Sequence, residues 1–325
     1  MKVLVTGGRG LLGSAVVREL VQRGRDVTVL QRHPSGAVGV REVLGDVADP
    51  AAVARAVAGC TAVVHLAAHV SMVGPWEEFE RVNVHGTATV LAAARAAGVD
   101  RFVQVSSPSV AHVGEPLVGA LAQPADPAGA RGNYARSKAM AELLALGADQ
   151  PGFAVTAIRP HLVWGPGDEQ LVGRIAERAR AGRLVLVGRG TALIDTLYVD
   201  NAAEALAHAL DRCHLPDVHG QAFVVTNGEP RTVAEVFGRI AAAAGAAPPT
   251  RRVPFRLARA AGAGLDLAWE RTGRTDLPPL TAFLAEQLGT AHWFDQRPAR
   301  AALAWRPSVG LDEGFARLAD WFAAG

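Results

Sequence analysis

The chain has 325 residues, of which half are hydrophobic and a fifth are charged. This balance disfavours a disordered chain and provides enough apolar material for a large α/β core with a smaller appendage. The 33 basic and 31 acidic side chains leave a formal charge of +2 without a long run of one sign, which disfavours nucleic-acid binding. The two cysteines, Cys60 and Cys213, lack metal-type spacing and indicate buried positions in a reducing cytoplasm.

The first residues follow a strand pattern and do not resemble an export signal. The longest weakly polar stretch, from Ala51 to Gly74, is interrupted by Arg55, His65 and His69. It therefore falls short of the roughly 20 apolar residues that a transmembrane helix needs. We expect a cytoplasmic protein without a transmembrane segment.

In the first half of the chain, short apolar runs alternate with alanine-rich helical runs. This rhythm predicts an α/β fold, a Rossmann-type doubly wound parallel sheet with helices on both faces. The expected strands are Val3–Thr6, Asp26–Leu30, Glu42–Leu44, Ala62–Leu66, Arg101–Val105 and Ala154–Ile158. The expected helices are Leu11–Gln22, Ala51–Ala58, Glu77–Ala97 and Tyr134–Leu146. The Gly- and Pro-rich stretch Ala111–Gly132 reads as a long functional loop.

The pattern becomes less regular after Arg159-Pro160. Here we expect helices near Glu169–Ala181, Val199–Leu210 and Thr232–Ala244, and strands at Leu184–Val187 and Ala222–Val225. We therefore divide the chain into a cofactor-binding Rossmann domain of residues 1–163, to which residues 199–226 return, and a smaller C-terminal substrate lobe formed mainly by residues 164–325.

A glycine loop, Thr6–Gly13, follows the first strand and opens the first helix. Its backbone N–H groups and the helix N-terminus suit the pyrophosphate of a dinucleotide. An ordinary Gly-rich turn is the alternative, but the order of strand, loop and helix favours the cofactor. At the end of the third strand, Asp46 suits the adenine amino group, although it also suits a helix cap, a role that fits Asp49 better.

The end of the second strand bears on the choice between NAD(H) and NADP(H). An NAD site usually has Asp or Glu there to bind the ribose hydroxyls, whereas this chain has Leu30-Gln31-Arg32. The absence of a carboxylate, together with Arg9 and Arg32, favours NADP(H). The alternative is that both arginines are solvated surface charges.

Tyr134 and Lys138 lie four residues apart, on one face of the predicted helix. A cation close to a phenol stabilises phenolate and so assists proton exchange with a carbonyl oxygen. Ser107, just past a strand end, can donate a hydrogen bond to the same oxygen, with Ser106 as its neighbour. A Tyr-x-x-x-Lys pair alone can be a surface pair, but the order of glycine loop, strand-end serine and Tyr-x-x-x-Lys predicts hydride transfer.

With these motifs the chain resembles the extended short-chain dehydrogenases/reductases over essentially its whole length. The matching segments are Thr6–Gly13, Gly45-Asp46, Asn83–Thr87, Ser106-Ser107, Tyr134–Lys138, Arg159-Pro160, Gly165–Gly167 and Tyr198–Asp200. The resemblance implies that Ser107 and Tyr134 contact the reacting oxygen, that Lys138 contacts the nicotinamide ribose and that Asn83 supports a proton relay. Including the segment Pro160–Leu162, which the resemblance places at the nicotinamide, the expected cofactor contacts are Gly7, Arg9, Gly10, Leu11, Leu12, Gly13, Arg32, Asp46, Val47, Leu66, Ala67, Ala68, Ser106, Tyr134, Lys138, Pro160 and Leu162.

The C-terminal half is similar to the 3β-hydroxysteroid dehydrogenase-like branch, particularly to 2-alkyl-3-oxoalkanoate reductases of bacterial olefin biosynthesis. This implies NADPH-dependent reduction of a hydrophobic 3-oxo acid to the 3-hydroxy acid, a homodimer through Glu77–Ala97 and Tyr134–Leu146, and association with other pathway enzymes. Sterol dehydrogenation stays open, as does a sugar-nucleotide epimerase or dehydratase that retains its nicotinamide, although Val110-Ala111-His112 departs from the Val-Tyr-Gly of many epimerases. Five aromatic residues suit either a greasy pocket or core packing: Trp76, Trp164, Phe283, Trp293 and Phe294.

Overall fold

A computed structural model describes residues 1–71, 73–111, 114–272, 274 and 278–324. Its strands, in chain order, are β1 (Lys2–Thr6), β2 (Asp26–Gln31), β3 (Arg41–Leu44), β4 (Ala62–His65), β5 (Arg101–Val105), β6 (Leu117–Ala120), β7 (Ala154–Pro160), β8 (Val163–Trp164), β9 (Val185–Val187), β10 (Leu193–Ile194), β11 (Leu197–Tyr198), β12 (Ala222–Val225), β13 (Arg231–Thr232), β14 (Arg251–Val253) and β15 (His292–Phe294).

The α-helices are α1 (Leu11–Gln22), α2 (Pro50–Val57), α3 (Trp76–Phe79), α4 (Gly86–Ala96), α5 (Gly132–Leu146), α6 (Val172–Arg180), α7 (Val199–Arg212), α8 (Val233–Ala243), α9 (Phe255–Thr272), α10 (Ala282–Gly289), α11 (Arg297–Leu303) and α12 (Leu311–Ala324). A π-helical turn, Glu80–His85, joins α3 to α4, and a 3₁₀ turn, Pro108–Ala111, follows β5. Among the described residues, no helix has the length and apolar character needed to cross a bilayer.

A parallel sheet of seven strands, in the order β3-β2-β1-β4-β5-β7-β12, forms the centre of the fold. Its side chains alternate between two apolar faces. Val3 and Val5 of β1 pack in one core cluster, whereas Leu4 packs in the other. Because helices cover both faces, both sets of side chains are buried, and the predicted Rossmann-type fold is confirmed.

A second, smaller sheet has the order β13-β10-β15-β6. Strand β6 lies inside the segment Ala111–Gly132, for which the sequence predicts only a loop, and it pairs with β15 near the C-terminus. Such a short strand with a distant partner has no local pattern that could reveal it. This sheet connects the C-terminal part of the chain to the segment between Ser107 and Tyr134.

The predicted helix Glu77–Ala97 is not one regular α-helix. It is divided into α3, the π-helical turn and α4, and Asn83 lies in the turn, where its side chain is buried. A π-helical turn inserts an extra residue into the helix and re-aims the side chains within it, often at functional sites. Sequence periodicity alone does not distinguish this insertion from continuous helix.

Towards the C-terminus, β12 joins the central sheet beside β7, and α7 packs against α1. Residues of the segment 199–226 therefore contact the central sheet and its helices. The division into a cofactor domain and a substrate lobe stays a prediction. Helices α9 to α12 were not predicted, because glycines interrupt the helical pattern of α9 and α12, and α10 and α11 have only eight and seven residues.

Candidate active site

Strands β1, β4, β5 and β7 all end at the same edge of the central sheet. In doubly wound folds this carboxyl edge is where ligands bind. The segments at the carboxyl ends of these strands are the glycine loop, Leu66–Ala68, Ser106-Ser107 and Pro160–Leu162. The topology therefore brings the principal predicted motifs to one edge.

Two glycines of the loop are required by close contacts within the protein. Gly7 has a φ of +77°, and a Cβ there would lie 2.9 Å from the Cα and N atoms of Ala67. A Cβ at Gly13 would overlap the carbonyl oxygen of Gly7. The glycine loop is thus pressed against the end of β4 and the first turn of α1.

Gly10 differs, because no protein contact requires a glycine at this position. Its φ is −66°, and the nearest atom to a Cβ placed there is the Gly7 carbonyl oxygen, at 3.9 Å. Gly10 is the N-cap of α1, whose N-terminus has no side-chain cap and no acidic residue in its first turn. This open, electropositive space fits the pyrophosphate of a dinucleotide.

The other residues predicted to contact the adenosine half of the cofactor differ in how far they are buried. Leu11, Leu12 and Leu66–Ala68 are partly buried, whereas Arg9 and Arg32 are exposed. Asp46 accepts hydrogen bonds from the Ala48 amide at 2.9 Å and from Arg81 at 3.0 Å. Burial acts to raise the pKa of Asp46, but these bonds and the charges of Arg81 and Arg32 hold it below its ordinary value. Val47 is buried against Gly86, and Asp49 caps α2 as expected.

A carboxylate that the local sequence does not reveal reaches the end of β2. Glu42, on the adjacent strand β3, accepts hydrogen bonds from Gln31 Nε2 at 2.6 Å and from the amide and hydroxyl of Ser35 at 2.9 and 2.5 Å. The hydrogen bonds from Ser35 lower the pKa of Glu42. The local sequence Leu30-Gln31-Arg32 therefore does not show every charged group at the end of β2, because the pairing of β2 with β3 brings Glu42 there. The end of β2 carries a carboxylate as well as Arg32.

A cavity of about 340 Å³ lies between the glycine loop, α1 and the segment after β2. Its lining includes Gly8, Arg9, Arg18 and Ser35. The guanidinium of Arg18 is engaged with Asp200 at 3.1 Å. Arg9 therefore adds positive charge to a space that adjoins the glycine loop.

The predicted catalytic side chains lie together at the carboxyl edge. Lys138 is buried, and its Nζ donates a hydrogen bond to the Val105 carbonyl at 2.6 Å. Burial lowers the pKa of Lys138 to about 8, although the charge of Glu142 opposes this shift. Burial raises the pKa of Tyr134 to about 12 against the effect of a hydrogen bond with Ser107. At neutral pH the phenol therefore holds its proton beside a buried ammonium group.

Asn83 connects the π-helical turn to α5. Its Nδ2 donates to Ser137 Oγ at 2.9 Å and to the His69 carbonyl at 3.2 Å, and its Oδ1 accepts from the His69 amide at 2.7 Å. Ser137 Oγ in turn donates to the Tyr134 carbonyl at 2.9 Å. Asn83 thus helps to fix the first turn of α5, and its role in a proton relay stays a prediction.

His65 is a buried member of this network for which the sequence suggested no role of its own. Its Nδ1 lies 2.7 Å from Thr6 Oγ1, and its Nε2 lies 3.0 Å from Thr87 Oγ1. Since the Thr87 hydroxyl donates to the Asn83 carbonyl and Thr6 Oγ1 accepts from the Ala67 amide, the hydrogen belongs on Nε2. Burial and the nearby Lys138 charge lower the pKa of His65 to about 3, so the ring is neutral.

A buried ion pair lies one helical turn beyond Lys138. Arg159 Nε donates to Glu142 Oε2 at 2.8 Å, a second guanidinium nitrogen contacts Glu142 Oε1, and Arg159 Nη1 donates to the Gln123 carbonyl at 2.7 Å. Both side chains are almost fully buried. Glu142 lies four residues after Lys138 and therefore on the same face of α5. The sequence analysis assigned no role to Glu142, because its contact with Arg159 depends on the packing of α5 against β7.

The predicted nicotinamide-side contacts line the same edge. Ser106 is buried, and its hydroxyl has no hydrogen-bond partner among the described residues. Pro160 is partly buried, and Leu162 adopts a left-handed backbone with a φ of +47°. A left-handed leucine stores backbone strain, which is typical of functional segments. An unsatisfied hydroxyl beside a strained loop fits a cofactor that would complete the site.

The contacts of three of the five aromatic residues bear on whether they pack in the core or line a pocket. Trp164 stacks on Phe315 at 4.5 Å within the core, which favours the packing interpretation for that residue. Trp76 lies under the Arg136 guanidinium, and Phe294 meets His161 edge-on at 5.1 Å.

His112, the residue that departs from the epimerase pattern, lies outside the described residues. Among the described residues, no cluster of side chains suits a metal ion.

Residues 3–225 match the NAD-dependent epimerase/dehydratase family. The chain belongs to this family. It is 44% identical to the 2-alkyl-3-oxoalkanoate reductase of Stenotrophomonas maltophilia over 98% of both chains, and 31% identical to the 3-beta-hydroxysteroid dehydrogenase of Mycolicibacterium neoaurum over 99% of this chain and 91% of that one. Among solved structures, UDP-glucose 4-epimerase of Thermus thermophilus in complex with NAD has a TM-score of 0.73 and 28% identity over the whole of both chains.

These similarities confirm the predicted membership of the extended dehydrogenase/reductase family and the relation to its 3β-hydroxysteroid dehydrogenase-like branch. They also confirm the prediction of an NAD(P)-dependent oxidoreductase. Tyr134 is hydrogen-bonded to Ser107, and Lys138 contacts the end of β5, so the three residues lie at the carboxyl edge of the central sheet, and their catalytic roles stay a prediction.

The glycine loop generates the first prediction. Because Gly10 has free space around its Cα, Gly10→Ala is expected to leave the melting temperature of the ligand-free protein unchanged but to weaken dinucleotide binding at least tenfold by occupying the pyrophosphate space. Fluorescence titration with NADPH and thermal unfolding measure the two effects. Gly264→Ala, an equally open position on α9, is the control, and equal dinucleotide affinity of both variants would contradict the assignment.

His65 generates a prediction about acid stability. Its folded-state pKa of about 3 lies below the ordinary value of 6.5, so the unfolded chain binds the proton first. The stability that neutral His65 provides is fully present above pH 6.5 and is lost as the pH falls towards 3. Urea unfolding at pH 7 and pH 5 should show a smaller acid-induced loss in His65→Gln than in the parent, whereas His33→Gln, on an exposed loop, should retain the parental loss. Equal losses in all three proteins would refute this role.

Proposed function

We propose that the protein is an NADPH-dependent reductase that converts the 3-oxo group of a 2-alkyl-3-oxoalkanoate into a 3-hydroxy group. The observation that supports this most strongly is the juxtaposition of Ser107, Tyr134 and Lys138 at the carboxyl edge, in a chain 44% identical to a 2-alkyl-3-oxoalkanoate reductase. Glycine loop and catalytic group occupy the same edge, as a hydride transfer requires.

In the proposed mechanism, the residues of this chain bind and orient the ketone and deliver a proton to its oxygen. A nicotinamide held beside Ser106 and Pro160–Leu162 would supply the hydride that the carbonyl carbon accepts. Ser107 donates a hydrogen bond to the ketone oxygen and stabilises the developing alkoxide. Tyr134, protonated because burial raises its pKa to about 12, gives its proton to that oxygen, and the Lys138 ammonium offsets the charge left on the phenolate.

The proposed cofactor contacts are those at the carboxyl edge. Gly7, Gly10, Gly13 and the N-terminus of α1 would bind the pyrophosphate, and Ser106 with Pro160–Leu162 would contact the nicotinamide. We favour NADP(H) because Arg9 and Arg32 are exposed beside the glycine loop and the end of β2, where guanidinium groups suit a phosphate. Glu42 keeps its negative charge, because the hydrogen bonds from Ser35 and Gln31 lower its pKa, so the preference for NADP(H) rests on the two arginines and not on the absence of a carboxylate.

The hydrophobic 3-oxo acid is favoured over two other substrates. The relative from Mycolicibacterium neoaurum makes a 3β-hydroxysteroid the second candidate, since it shares the same branch. A sugar-nucleotide epimerase would use the same catalytic residues without net consumption of cofactor. A panel of a 2-alkyl-3-hydroxy acid, a 3β-hydroxysteroid and UDP-glucose, followed by absorbance of the reduced nicotinamide, separates the three.

The assembly and the cellular setting are part of the proposal. Helix α5 exposes Leu143 and Leu144, which are 46% and 42% accessible, on its outer side. Adjacent exposed leucines on a helix that packs beside α4 suit a homodimer built from α4 and α5 of both copies. We propose that this dimer acts in the cytoplasm, in association with other enzymes of olefin biosynthesis.

The catalytic assignment predicts the effect of Tyr134→Phe. The substitution removes the proton donor but preserves the ring, so kcat should fall by about 10²-fold or more while NADPH affinity stays within a factor of two or three. The chain has one other tyrosine, Tyr198, which is buried on β11. Tyr198→Phe is therefore a matched control and should retain kcat. Near-parental turnover by Tyr134→Phe would exclude this mechanism.

The cofactor assignment predicts a selective effect of the arginines. The double variant Arg9→Ala/Arg32→Ala should bind NADPH at least tenfold more weakly and NADH about as well as the parent, because only NADPH has the 2′-phosphate. Dissociation constants from fluorescence titration test this, with Arg55→Ala on α2 as the control. An equal loss of affinity for both cofactors would assign the arginines to the pyrophosphate, and unchanged affinities would make them surface charges.

A further inference from the structure

The strained backbone at Leu162 is held by three hydrogen bonds from neighbouring segments. The His161 amide donates to the Val225 carbonyl at 3.2 Å, and the Leu162 carbonyl accepts from the Leu197 amide at 3.3 Å. The His161 ring is oriented by its Nδ1, which lies 2.6 Å from the Asp195 carbonyl oxygen. A left-handed leucine persists only where the surrounding structure determines it. These three bonds therefore fix the conformation of residues 160–162.

The carboxylate of Asp195 is fully buried and accepts three hydrogen bonds from the turn of residues 226–229, which follows β12. Thr226 Oγ1 donates to Oδ2 at 2.6 Å, and the amides of Gly228 and Glu229 donate to Oδ1 at 3.1 and 3.2 Å. Burial raises the pKa of Asp195 to about 6, and these bonds act against that increase. At neutral pH the group is therefore a carboxylate, which can accept from all three donors.

The backbone of this turn is shaped to receive an anion. Gly228 has a φ of +69°, in the left-handed region that favours glycine. Successive backbone amides around a left-handed residue form a concave site for negative charge. The Gly228 amide also donates to Thr226 Oγ1 at 3.1 Å, which closes the turn. In this protein, the carboxylate of Asp195 is the anion that the turn binds.

The contacts of Asp195 form a closed circuit with the end of β12. Val225, the last residue of that strand, binds the His161 amide and leads directly into the turn of residues 226–229. The turn binds the Asp195 carboxylate, and the Asp195 carbonyl returns to the His161 ring. The Asp195 amide donates to the His292 carbonyl at 2.9 Å, which adds the small sheet to the circuit. A shift of the turn would therefore be transmitted to residues 160–162.

We propose that Asp195 is a positioning residue for hydride transfer, because its carboxylate fixes the turn of residues 226–229 and its carbonyl thereby holds His161 and Leu162 against the nicotinamide. The inference rests on the proposed function, in which the segment Pro160–Leu162 contacts the nicotinamide. In this role Asp195 acts through that segment and does not touch the cofactor. Its loss should affect the nicotinamide end of the cofactor and leave the adenosine end, which the glycine loop binds, unchanged.

Two substitutions loosen the contact, one from each side. Asp195→Asn keeps the size of the side chain but replaces one acceptor oxygen by an amide nitrogen, and Thr226→Val removes the hydroxyl donor, whereas Thr226→Ser keeps it. The backbone bond from the Asn227 amide to the Thr196 carbonyl, at 2.9 Å, is retained in all three variants and helps to keep the turn folded. Asp168→Asn is the matched control, because Asp168 is also buried and accepts hydrogen bonds from three backbone amides, at the start of α6.

The first test compares NADPH with 2′-phospho-ADP-ribose, which has the same adenosine half and pyrophosphate but no nicotinamide. In calorimetric titrations, Asp195→Asn and Thr226→Val should bind NADPH more weakly by about fivefold or more, because ordering a loosened segment costs binding energy. Their affinity for 2′-phospho-ADP-ribose should stay within about twofold of the parental value. Thr226→Ser and Asp168→Asn should match the parent with both ligands, although Asp168→Asn should lower the melting temperature.

The second test measures the hydride step itself. In the oxidation of a 2-alkyl-3-hydroxy acid by NADP⁺, Asp195→Asn and Thr226→Val should lower kcat about tenfold, because a misplaced nicotinamide slows hydride transfer. The deuterium isotope effect on kcat, for substrate labelled at C3, should rise in both variants, since the hydride step then limits turnover. A residue that only stabilised the fold would not change this isotope effect.

An equal loss of affinity for NADPH and 2′-phospho-ADP-ribose would make Asp195 a purely structural residue. Parental affinities in both Asp195→Asn and Thr226→Val would likewise overturn its positioning role. The titrations use no substrate. A parent protein that fails to oxidise the 2-alkyl-3-hydroxy acid would therefore refute the proposed function, while the titrations would still decide the role of Asp195.

Discussion

The candidate site depends on the buried ion pair between Glu142 and Arg159. It joins α5 to β7, and the third bond of the guanidinium, to the Gln123 carbonyl, fixes the segment that leads from β6 to α5. Loss of one partner would leave an uncompensated buried charge, at a cost of about 3–5 kcal/mol. Lys138 and Tyr134 lie one and two turns earlier on the same helix. Their positions over the sheet edge therefore follow from where this pair anchors α5.

The same pair influences the charge of Lys138. Burial alone acts against an ammonium group, and the charge of Glu142 opposes that effect. Arg159 is hydrogen-bonded to both oxygens of Glu142. The carboxylate therefore binds the guanidinium and does not form a direct salt bridge with the Lys138 ammonium. Lys138 therefore has the Val105 carbonyl as its hydrogen-bond partner, one helical turn from Tyr134, and its contact with a bound ribose stays part of the proposal.

A second set of contacts connects the cofactor loop to the catalytic helix. From the Ala67 amide, hydrogen bonds pass through Thr6, His65 and Thr87 to the Asn83 carbonyl, and the Asn83 side chain continues to Ser137. The neutral state of His65 is necessary, because its Nδ1 accepts and its Nε2 donates. Since Ala67 also packs against Gly7, the loop and the catalytic group are parts of one hydrogen-bonded structure.

The sequence predicts those features that local patterns specify. The sheet strands, the glycine loop and the spacing of Tyr134 and Lys138 follow from apolar runs, from glycines after a strand and from helical periodicity. Glu42 and His65 could not be assigned in this way, because strand pairing and a buried polar network determine their roles. Strand β6 and the π-helical turn around Asn83 likewise depend on tertiary contacts, which a short segment does not display.

The small sheet joins segments that are far apart in the sequence. Its strand β10 is followed by Asp195, whose carbonyl oxygen lies at hydrogen-bond distance from His161 Nδ1. Its strand β15 contains His292 and Phe294. Its strand β6 lies between Ser107 and Tyr134 in the sequence. The central sheet positions the residues of the proposed chemistry, because the segments around Ser107 and Pro160 lie at the carboxyl ends of its strands β5 and β7. The small sheet brings in residues from the C-terminal part of the chain. The Glu142–Arg159 pair anchors α5 to β7 of the central sheet, whereas β15 belongs to the small sheet, so the two sheets contribute to this region through different elements.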